Sequence, residues 1–382
     1  MPPRPGSVRA TGEAHPVKIL MLEPFFGGSH RDFALGLQAH SRHAIELLTL
    51  PDRFWKWRMR GAALHFRAQL AQPEAYDLIL ATSLMSLADF AALCPPARPP
   101  LAIYFHESQL TYPFAQWHAR DLHFGFTDIT SALAADRVWF NSQRHREAFL
   151  EALPGLFQRM PDSRPTWIAD ALAAKSNVLH PGCRFAPQTA RNAAVGSKWL
   201  DPPLIIWNHR WEHDKNPEGF IRALEAMRRR AIPFQVAFLG QSFRRVPPAL
   251  AAARETLGAA VVHMGFAPSA QAYHQWLARG ALVVSTAIQE NFGLAVVEAI
   301  GWGCLPLLPD RLSYPEIIPP AFHGDCLYRG AEDLVEKLAD RLTRMADYAG
   351  LARELTAAMA RFAWEARIAD FDRALETAAR RA

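Results

Sequence analysis

Short apolar runs alternate with amphipathic stretches along almost the whole chain. In the first half, Lys18–Glu23, Glu46–Leu50, Asp77–Ala81, Leu101–Phe105 and Arg137–Phe140 have the length and continuity of buried parallel strands. Between them, Asp32–His40 and Thr127–Ala135 carry helical spacing. A second series begins at Leu204–Asn208 and continues through Phe234–Leu239, Ala260–Met264, Ala281–Ser285 and Cys304–Leu308. This repeated strand–helix order predicts an α/β chain with two doubly wound, Rossmann-like sheets. Pro, Gly, Gln, Asn and Ser concentrate in Pro181–Pro203, where the periodicity lapses, so the expected domains are residues 17–190 and 200–365. Residues 1–16 read as a disordered leader without the apolar segment of a secretory signal. Residues 366–382 read as a C-terminal helix that can pack back on the first domain.

Composition narrows this picture modestly. With 382 residues, half of them hydrophobic, the chain can bury two separate cores. No run approaches the roughly 18 apolar residues of a membrane span, so a soluble protein is expected. The four cysteines, Cys94, Cys183, Cys304 and Cys326, are scattered and form no CxxC pair. That pattern points to free thiols in a reducing cytoplasm and away from a zinc site or a disulfide framework. The formal charge of +5 mildly favours a polyanionic partner.

The candidate chemistry sits at strand ends. In Gln289–Gly303, Glu290 and Glu298 lie eight residues apart, and Asn291, Phe292 and Gly293 open an expected helix that begins near Gly293. A helix N-terminus beyond a strand end offers free N–H groups to an anion or a hydroxyl, and Gly293 permits close backbone approach. Carboxylates accept well from vicinal diols, so one can hold a ribose and the other a hexose. A bare pair of helix glutamates is ordinarily solvated surface; the preceding strand and the Asn-Phe-Gly turn favour a site. Arg210 and Lys215 fall on the loop leaving Leu204–Asn208, where fixed cations can stabilise a departing diphosphate in place of a metal. The Asp370-Phe371-Asp372 triplet lies in a helical stretch and reads as helix surface, so no metal site and no cofactor are expected. After the first strand, Gly27 and Gly28 form a flexible turn with Ser29 as the expected N-cap, and His106 follows Leu101–Phe105 at the same sheet edge.

Taken together these motifs resemble the retaining GT-B glycosyltransferases, and the chain is more specifically similar to the tRNA-queuosine α-mannosyltransferases. The shared stretches are EPFFGGSH, YFHESQLTYP, SALAADRVWFNS, HRWEHDKNPE, ENFGLAVVEA and SYPEIIP, spanning about Leu22 to Pro319. The resemblance implies transfer of mannose from GDP-mannose to a queuosine hydroxyl in a tRNA anticodon. It assigns Arg210 and Lys215 to the diphosphate, Glu290 with Asn291, Phe292, Gly293 and Leu294 to the sugar, and Glu298 to the ribose. Gly27, Gly28 and His106 would line the reaction centre. The family often has Asn where this chain has Ser108.

One further stretch bears on the acceptor. Arg53–Arg67 holds Arg53, Lys56, Arg58, Arg60 and Arg67, with Trp57 and other rings near its start, and contains no acid. Such residues can hold phosphates and stack on unpaired bases. The competing reading is an amphipathic helix whose rings pack inward. His118, Arg120 and His123 could extend the patch. Three other functions stay open at this stage: a GT-B enzyme with a lipid or polysaccharide acceptor, a catalytically silent RNA-binding protein, and a GT-B sugar epimerase.

Overall fold

A computed structural model of the chain describes residues 16–113, 121–187, 189, 191, 202–240 and 246–380. The leader up to residue 15, His118, Arg120 and most of the expected boundary segment lie outside the described residues.

Strands β1 (Lys18–Phe26), β2 (Ala44–Pro51), β3 (Leu78–Thr82), β4 (Leu101–Phe105), β5 (Arg137–Phe140) and β6 (Ser176–Val178) form a first sheet in the order β2-β1-β3-β4-β5-β6. Strands β7 (Leu204–Trp207), β8 (Gln235–Leu239), β9 (Val261–Gly265), β10 (Leu282–Val284), β11 (Leu305–Pro309) and β12 (Leu327–Tyr328) form a second in the order β12-β11-β10-β7-β8-β9. The strand pairings are parallel. Both sheets are doubly wound, which gives the two-domain GT-B architecture. The edge strands β6 and β12, of three and two residues, were not foreseen because they are too short to show a period.

Alternation along each strand builds two cores per sheet. Leu20, Leu22, Ile79, Ala81, Ile103 and Phe105 face one cluster, while Ile19, Met21, Leu78, Leu80, Ala102 and Tyr104 face the other. This explains the unbroken apolar runs: both faces are covered, so no polar face is required. Strand order reverses between β1 and β3 and between β7 and β10. At such switch points the loops leaving neighbouring strands diverge and open a crevice.

The last helix, Trp364–Ala379, lies on the first sheet. Phe371, Leu375 and Ala378 are buried with Ile19 and Met21. The Trp364 indole fits against Gly36 and Gly182, where an added Cβ would come within 2.2 Å of the ring. The reading of Asp370-Phe371-Asp372 as helix surface is corrected here. Phe371 and Asp372 are buried, and the Asp372 carboxylate accepts from the Ser41 hydroxyl at 2.6 Å. The four cysteines are free thiols, and among the described residues no helix is long and apolar enough to cross a membrane.

Trp364→Ala deletes an indole that is 2% exposed. The expected cost is about 3–5 kcal/mol, seen as a lower urea midpoint. An unchanged midpoint would mean that this helix contributes nothing to the first domain.

Candidate active site

The loop leaving β7 is organised around Lys215. Its ammonium is buried, 3.2 Å from Asp214 and 3.2 Å from Glu290 Oε2, and it donates to the Gln289 carbonyl at 2.7 Å. The loop leaving β10 is stitched to the same place: Ile288 N–H donates to the Asp214 carbonyl and the Thr286 hydroxyl donates to the carbonyls of Lys215 and Asn216. Burial pushes the Glu290 carboxyl up, but Lys215 and His209 outweigh it and hold Glu290 below the ordinary glutamate range. Arg210 is exposed, with its charge favoured by Glu212, Glu107 and Asp214 despite the low polarity around it.

Gly293 caps the helix Leu294–Gly301 at φ 95°, a left-handed conformation that an L side chain would strain. On that helix Glu298 accepts from Tyr273 OH at 3.2 Å, and Asn208 Nδ2 donates to the same phenol at 2.9 Å. Burial raises the Glu298 carboxyl to about 7, a shift that Tyr273 opposes and Asp32 of the first domain adds to. Phe292 is buried in the second core rather than lining an open surface, and Leu294 is half-buried.

From the first domain come Gly27, Gly28 and His106. Gly27, not Ser29, is the N-cap of helix α1 (Gly28–His40); the helix begins one residue before Ser29, which corrects the expected cap. A Cβ on Gly27 would come within 2.0 Å of the Asp52 carboxylate, so that packing needs glycine there. The His106 carbonyl accepts from Asn141 and from Asn291 of the second domain, the latter at 3.2 Å. Ser142 donates to the Asn291 carbonyl at 2.5 Å. Asn291, next to Glu290 in the chain, thus links the His106 backbone to the loop that carries Glu290.

Several residues of this arrangement were not singled out from the sequence. Glu23, fully buried on β1, accepts from Phe25 N–H, from Thr82 and from His30 Nδ1 at 3.1 Å. The His30 and His106 rings lie 4.2 Å apart. Glu23, His30 and His106 place ligand-type atoms within 4.8 Å of one another, yet the Glu23 carboxylate is already committed to three donors. Glu316, in SYPEIIP, accepts from Gln143 N–H at 2.9 Å and pairs with His180, a second link between the two halves. No pattern in the sequence marks these pairings, because each joins segments far apart or across a turn.

Of the basic stretch, helix α2 (Trp55–Gln69) carries Lys56, Trp57 and Arg60 exposed, just after exposed Arg53. Arg58 is half-buried against the Pro51 carbonyl. Arg67 departs from the expected patch: it donates to the carbonyls of Leu70 and Leu93, so its guanidinium serves the end of the helix. Ser108 is likewise structural, buried and bonded to Asp128 at 3.0 Å.

Comparison with known proteins fits this geometry. Residues 18–183 match the N-terminal family of tRNA-queuosine alpha-mannosyltransferases, and residues 190–354 match glycosyl transferases group 1. The tRNA-queuosine alpha-mannosyltransferase of Drosophila melanogaster is 37% identical over 331 residues, covering 84% of this chain and 85% of that protein. The chain belongs to the tRNA-queuosine alpha-mannosyltransferase family. It is a hexosyltransferase. Among solved structures, Anabaena Alr3699/HepE in complex with UDP and glucose shares the fold at a TM-score of 0.68 with 16% identity, over 94% of this chain and 100% of that one. Sucrose-phosphate synthase from Thermosynechococcus elongatus does so at 0.68 with 17% identity, over 94% and 98%.

In this member of the tRNA-queuosine alpha-mannosyltransferase family, the neighbouring His30 and His106 imidazoles, tilted 41° to one another, are shifted in opposite directions by their surroundings. Burial pushes the His30 pKa down, but the Glu23 carboxylate outweighs burial and raises it, with Glu107 assisting and Arg210 opposing. Burial, with His30 and His145 nearby, holds His106 well below the ordinary value. His30 therefore holds a proton more tightly than His106 does. Because folded His30 binds its proton more tightly than an unfolded histidine, it adds stability fully present below about pH 6.5. That contribution is lost as pH rises through the raised value. In Glu23→Gln the largest remaining influence is burial, so His30 should titrate by NMR below the free-histidine value rather than above it. Equal titration in both proteins would remove Glu23 as the cause.

Proposed function

We propose that the protein transfers mannose from GDP-mannose to a cyclopentenediol hydroxyl of queuosine in a tRNA anticodon, with retention at the anomeric carbon and without a divalent cation. The observation that carries this reading is the 37% identity to the Drosophila enzyme across both domains, together with the strand-end residues gathered at one cleft.

In this reading Arg210 and Lys215 meet the diphosphate, which gains charge as the C1–O bond breaks; fixed cations in a water-poor cleft favour that moment over the ground state. Glu290, kept ionised by Lys215, accepts from mannose hydroxyls. Glu298 and the free N–H groups at the start of its helix hold the ribose and the sugar. The acceptor oxygen bonds to C1 on the face the diphosphate leaves, and its proton passes to the departing phosphate oxygen. Neutral His106 faces that exchange as a hydrogen-bonding group, and closure through Asn291 and Ser142 limits hydrolysis of the donor. A tRNA acceptor places the activity in the cytoplasm.

The test uses purified protein, radiolabelled GDP-mannose, and tRNA from cells with and without queuosine, in EDTA. Label is expected only in queuosine-containing tRNA. Bound GDP-mannose without transfer to either pool would overturn the acceptor, and a requirement for added magnesium would overturn the cation-free mechanism.

A further inference from the structure

Two of the three rings at the start of α2, Phe54 and Trp57, do not pack inward. Phe54 is 68% exposed, Trp57 is 77% exposed, and Leu64 on the same helix face is 62% exposed. The opposite face is sealed into the domain by Met59, Ala62, Ala63 and Phe66. Trp55 anchors the first turn on Phe124, ring centroids 5.2 Å apart. Arg53 lies over the Phe54 ring and Lys56 over Trp55. Among the described residues Arg53, Lys56 and Arg60 join no ion pair. The surface therefore exposes two aromatic side chains interleaved with cations that join no ion pair among the described residues.

Its place in the fold ties it to the cleft. Pro51, at the end of β2, pairs with Phe26 immediately before the Gly27–Gly28 turn, and the Asp52 carboxylate packs on Gly27. Phe54 follows two residues later.

The backbone of Phe54 is a second, independent sign. It is the N-cap of α2 in a left-handed conformation, φ 57° and ψ 44°, and makes no side-chain cap bond. A bulky residue seldom adopts that conformation. The same chain solves the same geometry differently at the helix Pro217–Arg229, where Asn216 at φ 48° and ψ 57° caps Gly219 N–H with its side chain. Asn suits this conformation and this role. At α2 a capping residue is replaced by an exposed ring, the kind of local strain that collects at functional surfaces.

We propose that Phe54 and Trp57 form a stacking platform for unpaired bases of the acceptor RNA, with Arg53, Lys56 and Arg60 holding its phosphates. The proposal rests on the tRNA-acceptor reading and says how that acceptor is gripped beside the reaction centre. Every base offers a π-face to such rings, and the cations follow the backbone without reading sequence. A lipid surface is the weaker occupant, because the continuous apolar face of α2 is already buried in the domain and only separated apolar tips remain.

The experiment measures affinity for queuosine-containing tRNA, affinity for GDP-mannose and the melting temperature, for wild type, Phe54→Asn, Trp57→Ala and Lys56→Ala/Arg60→Ala. Phe54→Asn is expected to melt no lower than wild type, since it restores the cap used at Asn216. It should nevertheless bind tRNA roughly 5- to 100-fold more weakly, as should Trp57→Ala. The double variant should flatten the dependence of log affinity on log salt by about 0.7 for each phosphate that is no longer neutralised. GDP-mannose affinity should not change in any of them. If wild type mannosylates queuosine tRNA and Phe54→Asn and Trp57→Ala bind tRNA equally well, the platform is wrong and the acceptor reading stands. If wild type neither binds nor modifies that tRNA, both fall. Loss of binding to phosphatidylserine vesicles in place of tRNA would assign the surface to a membrane instead.

Discussion

The cleft depends on one buried cation. Lys215 sits in a low-polarity pocket with Asp214 and Glu290 as counter-charges and the Gln289 carbonyl as an additional acceptor. Removing an ammonium from water is costly, and two carboxylates with a carbonyl offset that cost only if all are held in place. The loops leaving β7 and β10 are consequently locked together, with Thr286 and Ile288 bonded to the Asp214–Asn216 backbone. This joins the two strands that flank the second sheet's switch point. It fixes Glu290 in its ionised form and leaves Arg210 free to meet a ligand.

Among the described residues, polar contacts couple the first domain to that unit. Asn291, the residue after Glu290, reaches the His106 carbonyl, while Ser142 reaches Asn291. Further out, Glu316 caps the N-terminus of the helix Gln143–Gln158, where backbone N–H groups lack partners of their own, and pairs with His180. The returning helix Trp364–Ala379 makes the N-terminal core depend on the C-terminal end of the chain. Opening of the cleft must therefore break these polar contacts while leaving both cores intact. That is the energetic profile expected of a domain motion that admits a donor and an acceptor in turn.

Much of this was legible in the sequence because it obeys short-range rules. Runs such as Leu101–Phe105 announce a strand covered on both faces, and the loop after such a strand is where parallel sheets bind ligands, which exposed Arg210, Lys215, Glu290 and His106. What escaped depends on partners distant in the chain. Asp372 looked like one more solvated helix acid, but its partner Ser41 lies 331 positions away. Glu23 and His30 are seven residues apart, yet nothing shows that they meet until the Gly27–Gly28 turn folds α1 back over β1. Arg67 shared the composition of the basic stretch while its carbonyl partners came from Leu70 and Leu93. Periodicity also left open whether the rings of α2 pack inward, since helical spacing gives the face of a residue but not whether a neighbour covers it.

The central claim is that the loop leaving β7 neutralises the diphosphate as it departs, and Arg210 offers the cleanest access to it. Its side chain lies outside the Lys215 hydrogen-bond set, so replacing it leaves the buried pairs in place. The decisive quantity is the single-turnover rate of mannosyl transfer by Arg210→Met at saturating GDP-mannose and tRNA. A fall of about 10²- to 10³-fold is expected if this side chain stabilises charge that develops only in the transition state. A rate within a few-fold of wild type would contradict the claim and require another source of charge stabilisation.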